Sequence, residues 1–154
     1  MGHNKKNQLL IVISSPSGAG KTSICQKLIE IDSSIRISIS DTTRSARQNE
    51  VDGRDYNFIS NAEFMKKIKK NEYIEFANVF GNYYGSAKTN IENILRKGYD
   101  VLFDIDWQGA SQLKKSSFHN IVSIFIIPPT KDEIQKRLNL RATESGDNKE
   151  SIKK

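Results

Sequence analysis

The first strongly patterned stretch of the chain is LLIVI at 9–13, a continuous apolar and largely β-branched run bounded by Ser and Pro. Without polar alternation, such a run predicts a strand buried on both faces, and its natural host is a parallel sheet. From Lys21 to about Ile31, TSICQKLIEI puts Ile24, Leu28 and Ile31 on one helical face. The order is therefore strand, loop of small residues, helix. A second short strand is expected at 36–40, RISIS, followed by polar residues and the turn-like VDGRDY at 51–56. Ser60-Asn61-Ala62-Glu63 is a capping-box pattern and predicts a helix to about Lys70.

Further along, YIEFANV at 73–79 alternates like a strand, with GNYYG at 81–85 read as its turn. Ser86 is expected to cap a helix that Gly98 closes. Two more apolar strands, VLFDI at 101–105 and IVSIFII at 121–127, flank a helical stretch near 108–115. Thr130-Lys131-Asp132-Glu133 is another capping box, opening a helix to about Leu140. Strands alternating with helices in this way predict an α/β fold, with 40–88 as an inserted lobe of mixed pairing. From Arg141 the tail RATESGDNKESIKK carries one apolar side chain beyond alanine. An edge strand and covering helices are expected beyond it, so the chain reads as incomplete at its C-terminus.

Composition narrows the classes. A chain of 154 residues makes one domain with enough length for a core. A net charge of +6 favours an anionic partner, yet the lysines are scattered, so small phosphorylated molecules fit and a nucleic acid is not implied. The single cysteine, Cys25, excludes an internal disulfide and reads as a helix packing residue in a reducing compartment. No apolar run approaches the ~20 residues of a membrane span, and 1–8 lacks a signal-peptide core. A soluble, cytoplasmic protein without membrane contact is expected. His3 and His119 have no neighbouring acid or cysteine and read as a tail and a loop residue.

Candidate chemistry begins at SSPSGAGKTS, 14–23. Against the phosphate-loop pattern G-x-x-x-x-G-K-[ST], residues 15–22 match at Gly20, Lys21 and Thr22, with Ser15 in place of the first glycine. The pattern works because inward backbone N–H groups surround a phosphate and small residues let it approach. A lysine then reaches the terminal phosphates, and a hydroxyl serves Mg²⁺. Ser17, Gly18, Ala19, Gly20, Lys21, Thr22 and Ser23 are thus the expected nucleoside triphosphate cradle, with ATP and Mg²⁺ as cofactors. Its setting between a buried strand and an amphipathic helix is the one the motif requires.

Beyond that loop the chain resembles the guanylate kinases, through SDTTRSAR at 40–47, EVDGRDY at 50–56, IEF at 74–76, GNYYGS at 81–86 and DIDWQG at 104–109, in the family's order from about residue 9 to the end. The resemblance implies a P-loop kinase with a three-layer parallel core (9–39 and 89–135), a GMP-binding lobe (40–88) and a helical lid (136–154). It also implies Mg-dependent phosphoryl transfer from ATP to GMP. Arg44 and Arg47 fit a dianionic acceptor phosphate, since planar guanidinium forks bind it in bidentate fashion, and Tyr56 and Tyr84 add hydroxyl donors. Glu75 suits guanine, whose N1–H and N2–H₂ present two donors side by side; Ser40 can donate to O6. By resemblance Asp106 lies near Glu75, and Ser86 is the other polar contact near the base. An unpaired buried carboxylate is costly, so AMP would be rejected.

Asp104, at the carboxyl end of its strand, takes the metal-linked position together with Thr22. Arg137 and Arg141, four apart on a helix, correspond to lid arginines and join Lys21 and Arg44 as expected catalytic residues. Tyr83 and Trp107 read as packing aromatics. Two rivals stay open. One is a guanylate-kinase-like module that binds phosphoproteins without catalysis, against which Lys21 and Thr22 stand. The other is a P-loop kinase for another small acceptor, against which Glu75 and Ser40 stand.

Overall fold

The computed structural model describes residues 8–128 and 130–145, with side chains described through 140. The run at 9–13 forms β1 (Leu10–Ser14), and the helix after the small-residue loop is α1 (Lys21–Ile31). Then come β2 (Ile35–Ile37), β3 (Asp41–Thr42), β4 (Asn57–Phe58), α2 (Asn61–Lys69), β5 (Tyr73–Val79) and β6 (Asn82–Ala87). The chain continues through α3 (Lys88–Arg96), β7 (Asp100–Asp104), α4 (Trp107–Lys114), β8 (Ile121–Phe125) and α5 (Lys131–Ser145).

Two sheets share the strands. The first, ordered β2-β7-β1-β8, is wholly parallel, with Ile13 in register with Asp104 and with Ile124. Its central strands β1 and β7 are buried on both faces, as unbroken apolar strands require, while the edge strand β8 leaves Val122, Ile124 and Phe125 exposed. On one face Leu10, Val12, Val101 and Phe103 pack with Ile91 of α3 and Ala110 and Leu113 of α4. On the other, Ile13, Ile35 and Leu102 pack with Cys25 and the flanking Leu28 and Ile29 of α1. The result is the three-layer α/β core. The second sheet, ordered β4-β3-β6-β5, mixes parallel and antiparallel pairs, and all four of its strands fall within 40–88.

Four local expectations are corrected. In α1 the packed stripe is Cys25, Leu28 and Ile29, while Ile24 and Ile31 face solvent. Leu28 is common to the expected and observed faces, but the fully buried Cys25 takes the place expected for Ile24. The strand expected at 36–40 stops at Ile37; Ser38 still donates its N–H to Leu102, but the chain then leaves the first sheet and enters the second at Asp41. GNYYG is not a turn. The turn is Phe80-Gly81, both at positive φ (50° and 84°), as a two-residue hairpin loop demands, and Asn82 to Gly85 lie in β6. Ser86 does not cap α3: Ala87 is the cap residue, without a side-chain bond, and the Ser86 hydroxyl is used elsewhere.

Other expectations match. Ser60 accepts from the Glu63 N–H at 3.1 Å and Thr130 from the Glu133 N–H at 3.2 Å, so both capping boxes form their first bond. Gly98, at φ 85°, lies just past the last turn of α3. The helix α5 runs unbroken across the expected core-to-lid boundary at 135/136. Among the described residues no helix is long and apolar enough to cross a membrane.

The second sheet is held by a buried polar network that the chain's pattern does not announce. Asp41 is 1% exposed, and its carboxylate accepts from Asn57 Nδ2 (2.9 Å), Lys67 Nζ (2.7 Å) and Tyr73 Oη (2.8 Å). It thereby joins β3 to β4, α2 and β5. Burial, followed by the bond to Asp41, pushes the Tyr73 hydroxyl well above its ordinary range, so it stays a donor. Gly85 serves the same region, because a Cβ there would meet the stacked rings of Phe64 and Tyr73 at 3.0 Å.

Candidate active site

A pocket of about 640 Å³ opens where the carboxyl ends of β1 and β7 meet the second sheet, the place where open α/β sheets bind ligands. One wall is the loop from Ser15 to Ser23, which contributes all seven expected cradle residues. Gly18 (φ 81°) and Gly20 (φ 86°) adopt backbone that a side chain would strain. Ser15 is not among the positive-φ residues, so serine is tolerated where the motif has glycine.

Because β1 and β7 are adjacent and in register, Asp104 lies beside the start of α1. Thr22 Oγ1 donates to Asp104 Oδ2 at 2.9 Å, while Lys21 Nζ pairs with Asp104 Oδ1 at 2.5 Å and donates to the Ile105 carbonyl at 3.0 Å. Hydroxyl and carboxylate oxygens are the hard donors that Mg²⁺ takes. Thr22 and Asp104 are the neighbouring pair with that donor chemistry, and among the described residues no group of three or more His, Cys, Asp or Glu could hold a metal ion.

The opposite wall comes from the second sheet and the loop before β4. Arg44 is gripped by Glu50 in bidentate fashion, Nη1 to Oε2 at 2.9 Å and Nη2 to Oε1 at 2.8 Å, and its Nε donates to Tyr84 Oη at 3.3 Å. Glu50 also accepts from the Arg47 backbone N–H at 2.8 Å and lies 3.5 Å from Arg47 Nη1. Tyr56 packs edge-on against Tyr84, with the Arg44 guanidinium 5.5 Å from its ring. Burial tends to raise the Glu50 carboxyl, but the Arg44 bond and the Arg47 N–H outweigh it, so it stays below the usual carboxylate range. Glu50 is thus an organising residue that sequence reasoning did not single out. The spacing Arg44, Arg47, Glu50 was the available signal.

Deeper in the pocket lies Glu75, 3% exposed. The β5–β6 register sets Glu75 opposite Ser86, whose hydroxyl donates to Glu75 Oε1 at 2.5 Å, with Ser40 Oγ 3.4 Å from Ser86 Oγ. Burial, then the nearby Asp106, push the Glu75 carboxyl up to about 7 against the opposing Ser86 bond and Lys21 charge. Ser40 and Asp106 line the pocket; Ser86 stands behind Glu75 and is fully buried. Asp106 is also the N-cap of α4, accepting from the N–H groups of Gln108 (3.0 Å) and Gly109 (3.1 Å).

Two glutamines, also not anticipated, join α4 to the outer edge of β5. Gln112 exchanges two bonds with the Phe76 backbone (3.1 and 2.7 Å), and Gln108 reaches the Asn78 carbonyl at 3.3 Å. Spaced four apart, they lie on one helical face.

The helix α5 rests on the phosphate loop. A Cβ at Gly18 would touch Leu138 at 3.2 Å, and one at Gly20 would lie 3.3 Å from Arg137 Nη1. Arg137 lines the pocket and pairs with Glu133 at 2.9 Å. Arg141 falls in α5, with its side chain outside the described part, and His3 lies outside the described residues. Trp107 departs from the packing expectation: it is 68% exposed at the pocket's rim, because α4 turns only its Gly109, Ala110 and Leu113 side to the core. Tyr83 does pack, 5.4 Å from the Phe64 ring. Cys25 is buried and free, its thiol pushed up to about 12 chiefly by burial.

Known proteins match this arrangement. The family model "Guanylate kinase" matches residues 7–154. The guanylate kinase of Rickettsia bellii (strain RML369-C) is 50% identical over 148 residues, covering 96% of this chain and 75% of that protein. The guanylate kinase of Novosphingobium aromaticivorans is 50% identical over 139 residues, covering 90% of this chain and 63% of its own. The crystal structure of guanylate kinase from Anaplasma phagocytophilum superposes with a TM-score of 0.74 at 40% identity, covering 90% of this chain and 69% of that one. On the match along nearly its whole length, the chain belongs to the guanylate kinase family.

Proposed function

We propose that the chain transfers the γ-phosphoryl group of ATP to GMP, giving ADP and GDP. The observation that carries this reading is one pocket with two unlike walls. A phosphate loop with Lys21 and Thr22 lies on one side, and the Arg44, Arg47 and Glu75 set on the other.

The donor phosphates sit in the cradle of 15–23, where backbone N–H groups and Lys21 meet their charge. Thr22 and Asp104 would hold Mg²⁺, which would supply positive charge against the donor phosphates. Arg44 and Arg47 grip the GMP phosphate. Their fixed positions, set by Glu50, point one of its oxygens at the γ-phosphorus. That oxygen forms the new P–O bond as the bond from the γ-phosphorus to the bridging oxygen of ADP breaks. Lys21 and Arg137 stabilise charge spread over the transferred group, and Arg141 joins them from the same helix.

Guanine is read by Glu75. Its carboxylate, already aligned by Ser86, accepts from N1–H and N2–H₂, with Asp106 beside it and Ser40 donating to O6. Adenine presents an acceptor at N1 and leaves the buried charge unpaired, which is the basis of selection. The enzyme acts on nucleotides of purine metabolism in the cytoplasm, without nucleic acid or membrane partners.

Replacing the reader separates these roles. Glu75→Gln is expected to raise KM for GMP by about 10- to 100-fold with KM for ATP within about twofold, the range of one charged hydrogen bond. Equal rises for both substrates would remove Glu75 from the base site.

A further inference from the structure

Gly109 lies in the first turn of α4, and it is not among the residues with positive φ. Its backbone is one that any residue adopts, and glycine is the least favourable non-proline residue in a helix. Space, therefore, is what the position requires. A Cβ at 109 would overlap Glu75 Oε2, and it would stand 3.0 Å from Glu75 Cδ and 3.1 Å from Ile105 Cδ1. The Glu75 side chain has little freedom to yield: it is 3% exposed, and its other oxygen is held by Ser86 Oγ at 2.5 Å. The backbone on each side is also tied, β5 to α4 through Gln112 and Gln108. At the same time the Gly109 N–H donates to Asp106 Oδ1 at 3.1 Å.

From these contacts we infer that Gly109 is a specificity-determining positioning residue: its missing side chain is the seat of the Glu75 carboxylate, and its N–H sets Asp106 beside it. One small residue thus fixes the relative placement of the two acids that face the base. The inference rests on reading Glu75 as the group that recognises guanine. A Cβ at 109 tilts the carboxylate away from the line on which it accepts two parallel bonds. Guanine, with N1–H and N2–H₂, needs both; hypoxanthine, with N1–H alone, needs one. Displacement therefore costs GMP more than IMP.

The test compares wild type, Gly109→Ala, Glu75→Asp and the Glu75→Asp/Gly109→Ala double variant with ATP and either GMP or IMP as acceptor. In Gly109→Ala the ratio of kcat/KM for GMP over IMP is expected to fall by about tenfold or more, the worth of one charged hydrogen bond. The loss should be carried by KM for GMP, with KM for ATP unchanged. Shortening the acid vacates the space, so adding Gly109→Ala to Glu75→Asp should change the GMP:IMP ratio by less than about twofold. An unchanged ratio in Gly109→Ala, or equal losses for GMP and IMP, would overturn the inference. Should Gly109→Ala fail to fold, the double variant is expected to fold, and its failure would overturn the inference equally. A wild type that does not prefer GMP would instead overturn the underlying reading of Glu75, so the two failures are distinguishable.

Discussion

Removing the Asp41 carboxylate tests whether the second sheet depends on its buried network. In Asp41→Ala three donors lose their acceptor: the Tyr73 hydroxyl, the Asn57 amide and the Lys67 ammonium. Breaking a buried ion pair from one side costs about 3–5 kcal/mol. Lys67 keeps 27% side-chain exposure and can turn to water, which places the loss near the lower end. Tyr73 is 5% exposed and cannot turn to water, so an unpaired hydroxyl adds about 1 kcal/mol or more. The total is about 3–4 kcal/mol, or roughly 6–16 °C in Tm for a domain of this size. Urea denaturation of Asp41→Ala, Tyr73→Phe and the double variant measures it. Tyr73→Phe should cost about 1 kcal/mol alone and close to nothing once Asp41 is gone, since the acceptor it served is missing. A loss below about 1 kcal/mol in Asp41→Ala, or additive losses in the cycle, would refute the network's role.

Four further outcomes are expected. Since GMP needs the charged form of a Glu75 carboxyl raised to about 7, kcat/KM for GMP should rise about tenfold per pH unit below 7 and level off above it. A pH-independent value between 5 and 8 would contradict this. The same shift has a stability sign: a carboxyl raised from the ordinary 4.5 contributes stability that is fully present below 4.5 and lost as pH rises through 7, so Glu75→Gln should gain on wild type from pH 5 to pH 8 in thermal melts. Lys21→Ala should lower kcat by about 10²-fold or more with the fold retained by circular dichroism, as expected for a lost charge at the transferred group; near-normal turnover would exclude that role. Cys25, buried with its thiol pushed up to about 12, should resist alkylation in the native protein and react after unfolding.

Much of the core was legible because its strands are unbroken apolar runs, and α2 and α5 were legible because they begin at capping boxes, both local signals. LLIVI and VLFDI pair because each is buried on two faces, and the phosphate loop comes after β1 as the motif requires. The second sheet was less legible for a physical reason. Two of its strands, Asp41–Thr42 and Asn57–Phe58, have two residues each, too few to show a period, and they exist through long-range pairing. In GNYYGS the glycines suggested a turn, whereas Phe80-Gly81 takes the positive φ angles and Tyr83, Tyr84 and Ser86 become strand residues. That register turns Ser86 from an expected cap into the partner of Glu75. Gln108, Gln112 and Gly109 were silent because each acts on a neighbour distant in sequence or through a space that only the folded chain defines, whereas Glu50 acts on Arg44 and Arg47 close by in the chain and its spacing was a usable signal.

The most direct measurement is a coupled assay of ADP release from Mg·ATP with GMP, AMP, CMP and UMP as separate acceptors, with GDP identified as product. Turnover with GMP and at most about 1% of that rate with the other three is expected, given a buried carboxylate that only guanine pairs with fully. Comparable turnover with AMP, or ADP release independent of any acceptor, would show that this pocket does not select guanine.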